Sequence, residues 1–159
     1  GDLEAAYATG VPMGGTLNAD AGVPRLFVWA TQDPDHAPLA KIQIIKGWLE
    51  DGEAHERVFD IACSEAKVGG RCLTTAAPVD LSDCSWSDTS GLPELRADWV
   101  DPDYNASHNA FYYARVLQIP TCRWTTYDSL RLGRAPPTDV PATITEMAWS
   151  SPVWVTTED

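Results

Sequence analysis

The chain has 159 residues, about the size of one domain, and 44% of them are hydrophobic, which is typical of a folded globular protein and excludes intrinsic disorder. Its 23 acidic and 11 basic residues give a formal net charge of −12, which disfavours binding to nucleic acid and to anionic membrane surfaces. The longest apolar runs fall far short of the ~20 residues that span a bilayer.

The first half of the chain predicts an irregular arm followed by strands. Residues 1–24 are rich in glycine and proline without periodicity, and a single domain is expected over 25–157. Residues 26–31 are β-branched and aromatic on both faces, which predicts a strand covered on both sides. Residues 41–62 place two strand patterns around Asp51-Gly52, a favoured two-residue turn, and so predict a β-hairpin.

Lys46 interrupts the apolar side of the first hairpin strand. In a regular strand Lys46 would share a face with Ile42 and Ile44, so a bulge is expected at Gly47.

The second half adds a third strand, a helix and a last extended segment. Residues 111–117 predict a strand, and Thr125 with Asp128 has the spacing of a capping box before a short helix that stops at Gly133. Pro152 places an edge strand or a bulge within residues 148–155. Strands that do not alternate with helices favour a mainly β fold, a β-sandwich-like set of antiparallel sheets with long loops and one short helix.

The four cysteines predict disulfides and an oxidising, extracytoplasmic compartment. Three of them lie in residues 63–93, a loop of a length that is uncommon in a compact domain unless it is stapled. We expect the pairs Cys63–Cys72 and Cys84–Cys122, although four cysteines allow three pairings. Free thiols and a zinc site are the alternatives, and the spacings are wider than those of zinc knuckles.

One loop carries several metal-type oxygens. Asp101, Asp103 and Asn105 have the spacing that opens a calcium loop, but Ala106 stands where glycine is required and Tyr112 where the bidentate glutamate belongs. Loop capping is therefore favoured over calcium of another geometry. The histidines are scattered singly, and no nucleophile or phosphate-loop motif is present, so we expect no catalytic residue, metal site or cofactor in this chain.

Seven tryptophans raise the possibility of a sugar-stacking platform, since a flat ring matches the apolar face of a pyranose. Core packing is the competing interpretation. Three tryptophans lie in apolar runs and are expected in the core, namely Trp29, Trp149 and Trp154. Three lie beside turns or cysteines and are expected to be exposed, namely Trp48, Trp86 and Trp124.

Two arginines are candidates for contact with a substrate or a neighbouring domain. Arg123, beside Trp124, can clamp an anion or pair with a carboxylate. Arg115 shares a side with Phe111 and Tyr113 by strand alternation. A buried arginine needs a partner, so we expect an ion pair, with Asp98, Asp101 and Asp103 the nearest carboxylates in the sequence. The alternative is an anionic substrate.

Several phrases, read together, resemble the C-terminal region of the domain-of-unknown-function family 3604, and they cover nearly the whole chain. They are Gly10–Gly15, Ile42–Trp48, Trp99–Tyr104, Ala110–Val116, Ile119–Trp124 and Ala148–Trp154.

The resemblance implies a large, exported bacterial parent protein grouped with PHP-type metal-dependent hydrolases, whose metals are held by an N-terminal catalytic domain. The chain is then expected to be a noncatalytic C-terminal accessory domain with that catalytic domain as its partner. Asp101–Asn105 and Arg123–Trp124 would be its contact loops. The alternative is a stand-alone module that binds carbohydrate or another envelope ligand. A large apolar patch would favour the first, and a shallow aromatic groove the second.

Overall fold

The computed structural model describes residues 2–73, 79–86 and 90–157, and strands dominate it. In chain order the elements are α1 (Asp2–Thr9), β1 (Thr16–Asn18), a 3₁₀ helix (Ala19–Ala21), β2 (Arg25–Thr31), β3 (Leu39–Glu50), β4 (Glu53–Cys63), β5 (Lys67–Val68), β6 (Arg71–Cys72), β7 (Glu94–Val100), β8 (Ala110–Gln118), β9 (Thr121–Cys122), α2 (Trp124–Arg131), β10 (Thr143–Ile144), β11 (Met147–Trp149) and β12 (Val153–Thr156). The mainly β, largely antiparallel fold class is confirmed.

Two layers of strands enclose the core. The larger layer is a six-stranded sheet in the order β1-β12-β8-β3-β4, with β11 also paired to β8. The smaller layer is the antiparallel ribbon of β2 and β7, and β7 contacts β3 and β4. Between the layers lie buried side chains of both, among them Ile42, Ile44, Leu95, Tyr112, Ala114 and Val155. This is a β-sandwich-like arrangement.

The large sheet covers only one face of β2, so the prediction of a strand covered on both sides is wrong. Along β2 exposed and partly buried residues alternate, and Val28 packs on the core while Phe27 and Trp29 point outward. A run of β-branched and aromatic residues reports that a strand forms, but it does not report how many faces another layer covers.

The predicted hairpin is confirmed as β3 and β4. Asp51 and Gly52 both have positive φ, 52° and 81°, as a tight turn that follows the twist of its strands requires. The expected bulge is misplaced, because the register shifts between Ile42 and Gln43 on the β4 side, not at Gly47. A Cβ at Gly47 would lie 2.3 Å from Cζ of Phe111, so the glycine makes room for that ring.

The lead-in over residues 1–24 has more structure than the pattern indicated. Asp2–Thr9 is helical, and Thr16–Asn18 pairs in parallel with β12. The expected capping box of α2 is absent, since Arg123 is the N-cap without a side-chain bond and the buried Oγ1 of Thr125 has no partner. Gly133, with φ of 59°, follows the helix end as predicted.

Both expected disulfides are confirmed. Cys63–Cys72 links the end of β4 to β6, with Cα atoms 5.5 Å apart. Cys84–Cys122 links the long excursion to β9, with Cα atoms 5.6 Å apart. The excursion is therefore held by disulfides at its start and at Cys84.

Candidate functional site

Asp101 anchors its loop to the inner face of the large sheet. Its carboxylate accepts hydrogen bonds from Lys46 Nζ at 2.6 Å, from the Tyr112 hydroxyl at 2.7 Å and from the backbone N–H of Asp103 at 2.9 Å. Lys46 also donates to the carbonyl of Asp103. Burial, with the neighbouring Asp101 carboxylate, raises the pKa of Tyr112 far above its usual value, so the phenol stays protonated and donates.

The other oxygens of this loop point elsewhere. The exposed carboxylate of Asp103 pairs with Arg57, and Asn105 accepts from the backbone N–H of Ser107. Asn105 also contacts the ring of His108. Each side chain therefore holds a local turn or a neighbouring strand, which is the loop-capping arrangement that the spacing favoured.

Arg123 and Trp124 lie at the opposite end of the molecule from that loop. The loop precedes β8 and these two residues follow it, and a nine-residue strand is about 30 Å long. Arg123 Nε donates to the carbonyl of Pro141 at 3.0 Å, while the Trp124 ring is exposed. The two candidate loops do not form one site.

The tryptophans are placed almost in reverse of the expectation. Trp149, Trp154 and Trp29 were expected in the core, yet they are 60%, 45% and 49% exposed. Trp48 and Trp86 were expected at the surface, yet each packs against a buried cluster. Trp124 is exposed as predicted. Apolar neighbours in the sequence belong to the opposite face of a strand, so they do not predict the burial of a given ring.

Two of these tryptophans contribute to an aromatic face on the side of the large sheet that points away from the β2–β7 ribbon. Its members are Phe111, Tyr113, Arg115, Trp149 and Trp154, because strand pairing sets Trp154 opposite Phe111 and Trp149 opposite Arg115. The Phe111 ring stacks on Tyr113 with centroids 6.3 Å apart and tilts against Trp154 at 5.5 Å.

A groove of ≈ 500 Å³ opens beside this face at the Phe111 end. Its floor is Gly47, whose missing side chain lets the Phe111 ring lie close to the sheet. The rings of Phe111 and Trp154 border it, together with the side chains of Leu49, Glu56 and Asn109. The groove is shallow, mainly apolar and bounded by aromatic rings.

Arg115 lies at the other end of the aromatic face, and its predicted ion pair is wrong. Its Nε donates to Oε1 of Gln43 at 2.8 Å, and no carboxylate of the described residues lies within salt-bridge distance. Two of the expected partners, Asp98 and Asp101, are engaged by Arg25 and Lys46 instead. Asp103 pairs with Arg57.

A chain of hydrogen bonds supports Arg115 from behind. Gln43 Nε2 donates to Asp60 Oδ1 at 2.6 Å, and the backbone N–H of Cys72 donates to Asp60 Oδ2 at 2.8 Å. Burial acts to raise the pKa of Asp60, but these donors and the nearby charge of Lys41 outweigh it and lower the pKa below its usual value. Asp60 is therefore a carboxylate, and it fixes which way the Gln43 amide points.

Family comparison assigns the chain to a group without a described activity. The family model described as "Protein of unknown function (DUF3604)" matches residues 2–157. The chain belongs to the DUF3604 family. No curated protein and no solved structure matches it.

Two further features of this DUF3604 chain concern the described residues only. Within residues 2–73, 79–86 and 90–157, no cluster of three His, Cys, Asp or Glu side chains could hold a metal ion. No helix in these ranges is long and apolar enough to cross a membrane. The sequence indicated the aromatic face only through the alternation of Phe111, Tyr113 and Arg115.

Proposed function

We propose that this chain is a noncatalytic accessory domain of an exported DUF3604 protein, and that its aromatic face packs against another part of the same polypeptide. The proposal includes a C-terminal position behind an N-terminal catalytic domain of the PHP metallohydrolase type. The resemblance of the six sequence phrases to that region supports this placement. The two disulfides support an extracytoplasmic location, since such bonds persist in oxidising compartments.

The observation that carries the proposal is the exposure of large rings on one side of the sheet. Trp149 and Trp154 keep about half of their surface in contact with solvent, and Met147 is also exposed next to them. Contiguous exposed apolar surface marks a binding site more often than isolated apolar residues do. Covering this face would remove the cost of hydrating it.

Chemical footprinting of tryptophan tests this packing. We expect Trp149 and Trp154 to be oxidised in the isolated chain and protected in the longer DUF3604 polypeptide that contains it. Trp29 is the internal control, because it is similarly exposed but lies on the β2–β7 ribbon, so its reactivity should not change. Equal reactivity of Trp149 and Trp154 in both proteins would refute the packing.

A carbohydrate ligand is the second candidate, because the groove beside Phe111 and Trp154 is shallow and lined by rings. Aromatic rings in such grooves can stack on the apolar faces of sugars. Quenching of tryptophan fluorescence by soluble polysaccharides measures the binding. We expect Trp154→Ala to weaken it and Trp29→Ala to leave it unchanged, and the reverse pattern would exclude the groove.

A further inference from the structure

Arg115 has hydrogen-bonding capacity that the described part of the protein does not use. A guanidinium carries five N–H donors, and here only Nε has a partner, the Gln43 side chain. Neither Nη atom forms a hydrogen bond to a described residue. The side chain is partly buried, where unused donors are costly. A partner from outside the described chain would satisfy them.

Three other arginines in strands of this acidic chain are paired with carboxylates. Arg25 pairs with Asp98, Arg57 with Asp103, and Arg96 with Glu94. Arg115 is more sheltered than these, yet its side chain meets a neutral amide. Lys41 lies near the carboxylate behind that amide, at 3.6 Å from Asp60, and balances its charge. The positive charge of Arg115 therefore remains available at the surface.

The support behind Arg115 holds the guanidinium in place before any ligand arrives. Gln43 and Asp60 are both 7% exposed, and their hydrogen bonds fix the amide that receives Nε. A guanidinium oriented in this way can receive both oxygens of a carboxylate on its Nη atoms. Less conformational entropy is then lost on binding.

We propose that Arg115 and Trp149 form a subsite for an acidic sugar of the uronic acid class. The inference rests on the carbohydrate-binding candidate described above, which is the alternative to packing of this face against another domain, and names its ligand chemistry. Trp149 lies directly opposite Arg115, so their Cβ atoms are about 5 Å apart, and Tyr113 follows two residues away on the same side. One pyranose ring can then stack on an aromatic ring while its own carboxylate reaches the guanidinium.

The net charge of the protein limits how an anionic ligand can be attracted to Arg115. A net charge of −12 repels an anionic chain at a distance, so attraction has to come from direct contact with Arg115. Affinity should then depend on the carboxylate itself, not on the overall charge of the ligand.

Titration calorimetry with polygalacturonate and with its fully methyl-esterified, neutral form tests the inference. We expect the acid form to bind about 10–100-fold more tightly, as a charge-assisted hydrogen-bonded contact implies. Arg115→Gln should reduce binding of the acid form to the level of the ester and leave ester binding unchanged. Arg115→Lys should retain part of the preference. Trp149→Ala should weaken both forms, and Trp29→Ala neither.

The outcomes separate the two proposals. Equal binding of acid and ester by the unmodified chain overturns the carboxylate subsite but leaves carbohydrate binding standing. Binding of neither form overturns the subsite, and the carbohydrate candidate falls as well if no soluble polysaccharide quenches the tryptophan fluorescence. Competition by poly-L-glutamate as strong as that of free polygalacturonate would mean that the site takes a carboxylate without a sugar, and would overturn the sugar assignment. Ester binding reports the fold of the two Arg115 variants, and the acid–ester comparison needs no variant.

Discussion

Lys46→Met should be among the most destabilising single substitutions in this domain. The Lys46 and Asp101 side chains are 4% and 0% exposed, and their atoms are 2.6 Å apart. Removing the ammonium leaves a buried carboxylate with two neutral donors, the Tyr112 hydroxyl and the backbone N–H of Asp103. Breaking a buried pair in this way costs about 3–5 kcal/mol. For a domain of this size the melting temperature should fall by about 6–20 °C.

A second variant tests whether the charge is the cause. In Lys46→Met with Asp101→Asn no carboxylate remains buried at this site, and the asparagine oxygen can still accept from the N–H of Asp103. We expect the double variant to recover stability relative to Lys46→Met, because uncharged replacements of buried pairs are often tolerated. Arg57→Met is the matched control, since its pair with Asp103 is 57% and 45% exposed and is worth at most about 1 kcal/mol.

Urea unfolding of the oxidised protein, followed by tryptophan fluorescence, measures these differences. The reasoning is refuted if Lys46→Met costs less than the Arg57→Met control. It is also refuted if the double variant is less stable than Lys46→Met by the full cost of a second independent defect, because the two side chains would then not be coupled.

The remaining predictions concern the disulfides, Asp60 and Gly47. Cys84–Cys122 spans 38 residues and Cys63–Cys72 spans 9. By loop entropy, replacing the first pair by serines should lower the free energy of unfolding by about 4 kcal/mol and replacing the second by about 2.6 kcal/mol. Denaturant titration that gives the opposite order would contradict this. The folded state lowers the pKa of Asp60, so its stabilisation is present above the ordinary value of 3.8 and is lost as pH falls through the folded value. The stability difference between the unmodified chain and Asp60→Asn should therefore shrink below about pH 3.8, and a constant difference in acid unfolding curves would refute the linkage. Gly47→Ala should lower the free energy of unfolding by about 1–3 kcal/mol and displace the Phe111 ring, a change that near-ultraviolet circular dichroism detects. Gly52→Ala is the control, because its exposed turn has backbone strain but no clash. An unchanged aromatic spectrum in Gly47→Ala would contradict the packing.

Local features of the fold could be predicted from the sequence. The β3–β4 hairpin follows from strand alternation on both sides of Asp51-Gly52, whose positive φ angles suit that residue pair. The disulfide pairing followed from where Cys63 and Cys122 stand relative to the strands. In each case the deciding interactions are close in sequence, or a covalent link restricts the alternatives.

Features that depend on the second layer could not be predicted. The β2–β7 ribbon pairs Arg25 with Val100 and Thr31 with Glu94, residues more than sixty positions apart. No local sequence pattern predicts this pairing. Which face of β2 and which face of β12 is covered depends on how that ribbon packs on the large sheet, and for this reason the predicted burial of Trp29 and Trp154 was wrong. The bulge expected at Gly47 was wrong for the same reason. Lys46 stays on the apolar side of the strand because its partner Asp101 comes from the end of β7.

The face of the sheet on which Arg115 lies could be predicted from the sequence, but its hydrogen-bond partner could not. Alternation placed it correctly beside Phe111 and Tyr113, yet the carboxylates nearest in sequence belong to the other side of the sheet. Its actual partner, Gln43, comes from β3, 72 positions away.

The two faces of the large sheet treat their charges in opposite ways, and this contrast supports the binding proposed for the outer face. On the inner face, Lys46 and Asp101 are fully paired and sealed, so their role is complete within the chain. On the outer face, Arg115 is oriented by buried groups but keeps its Nη donors unused beside exposed rings. Gly47 leaves room for the Phe111 ring on the same face, although glycine lowers the stability of a strand. A face that served only as a solvated surface would need neither the support behind Arg115 nor the space above Gly47.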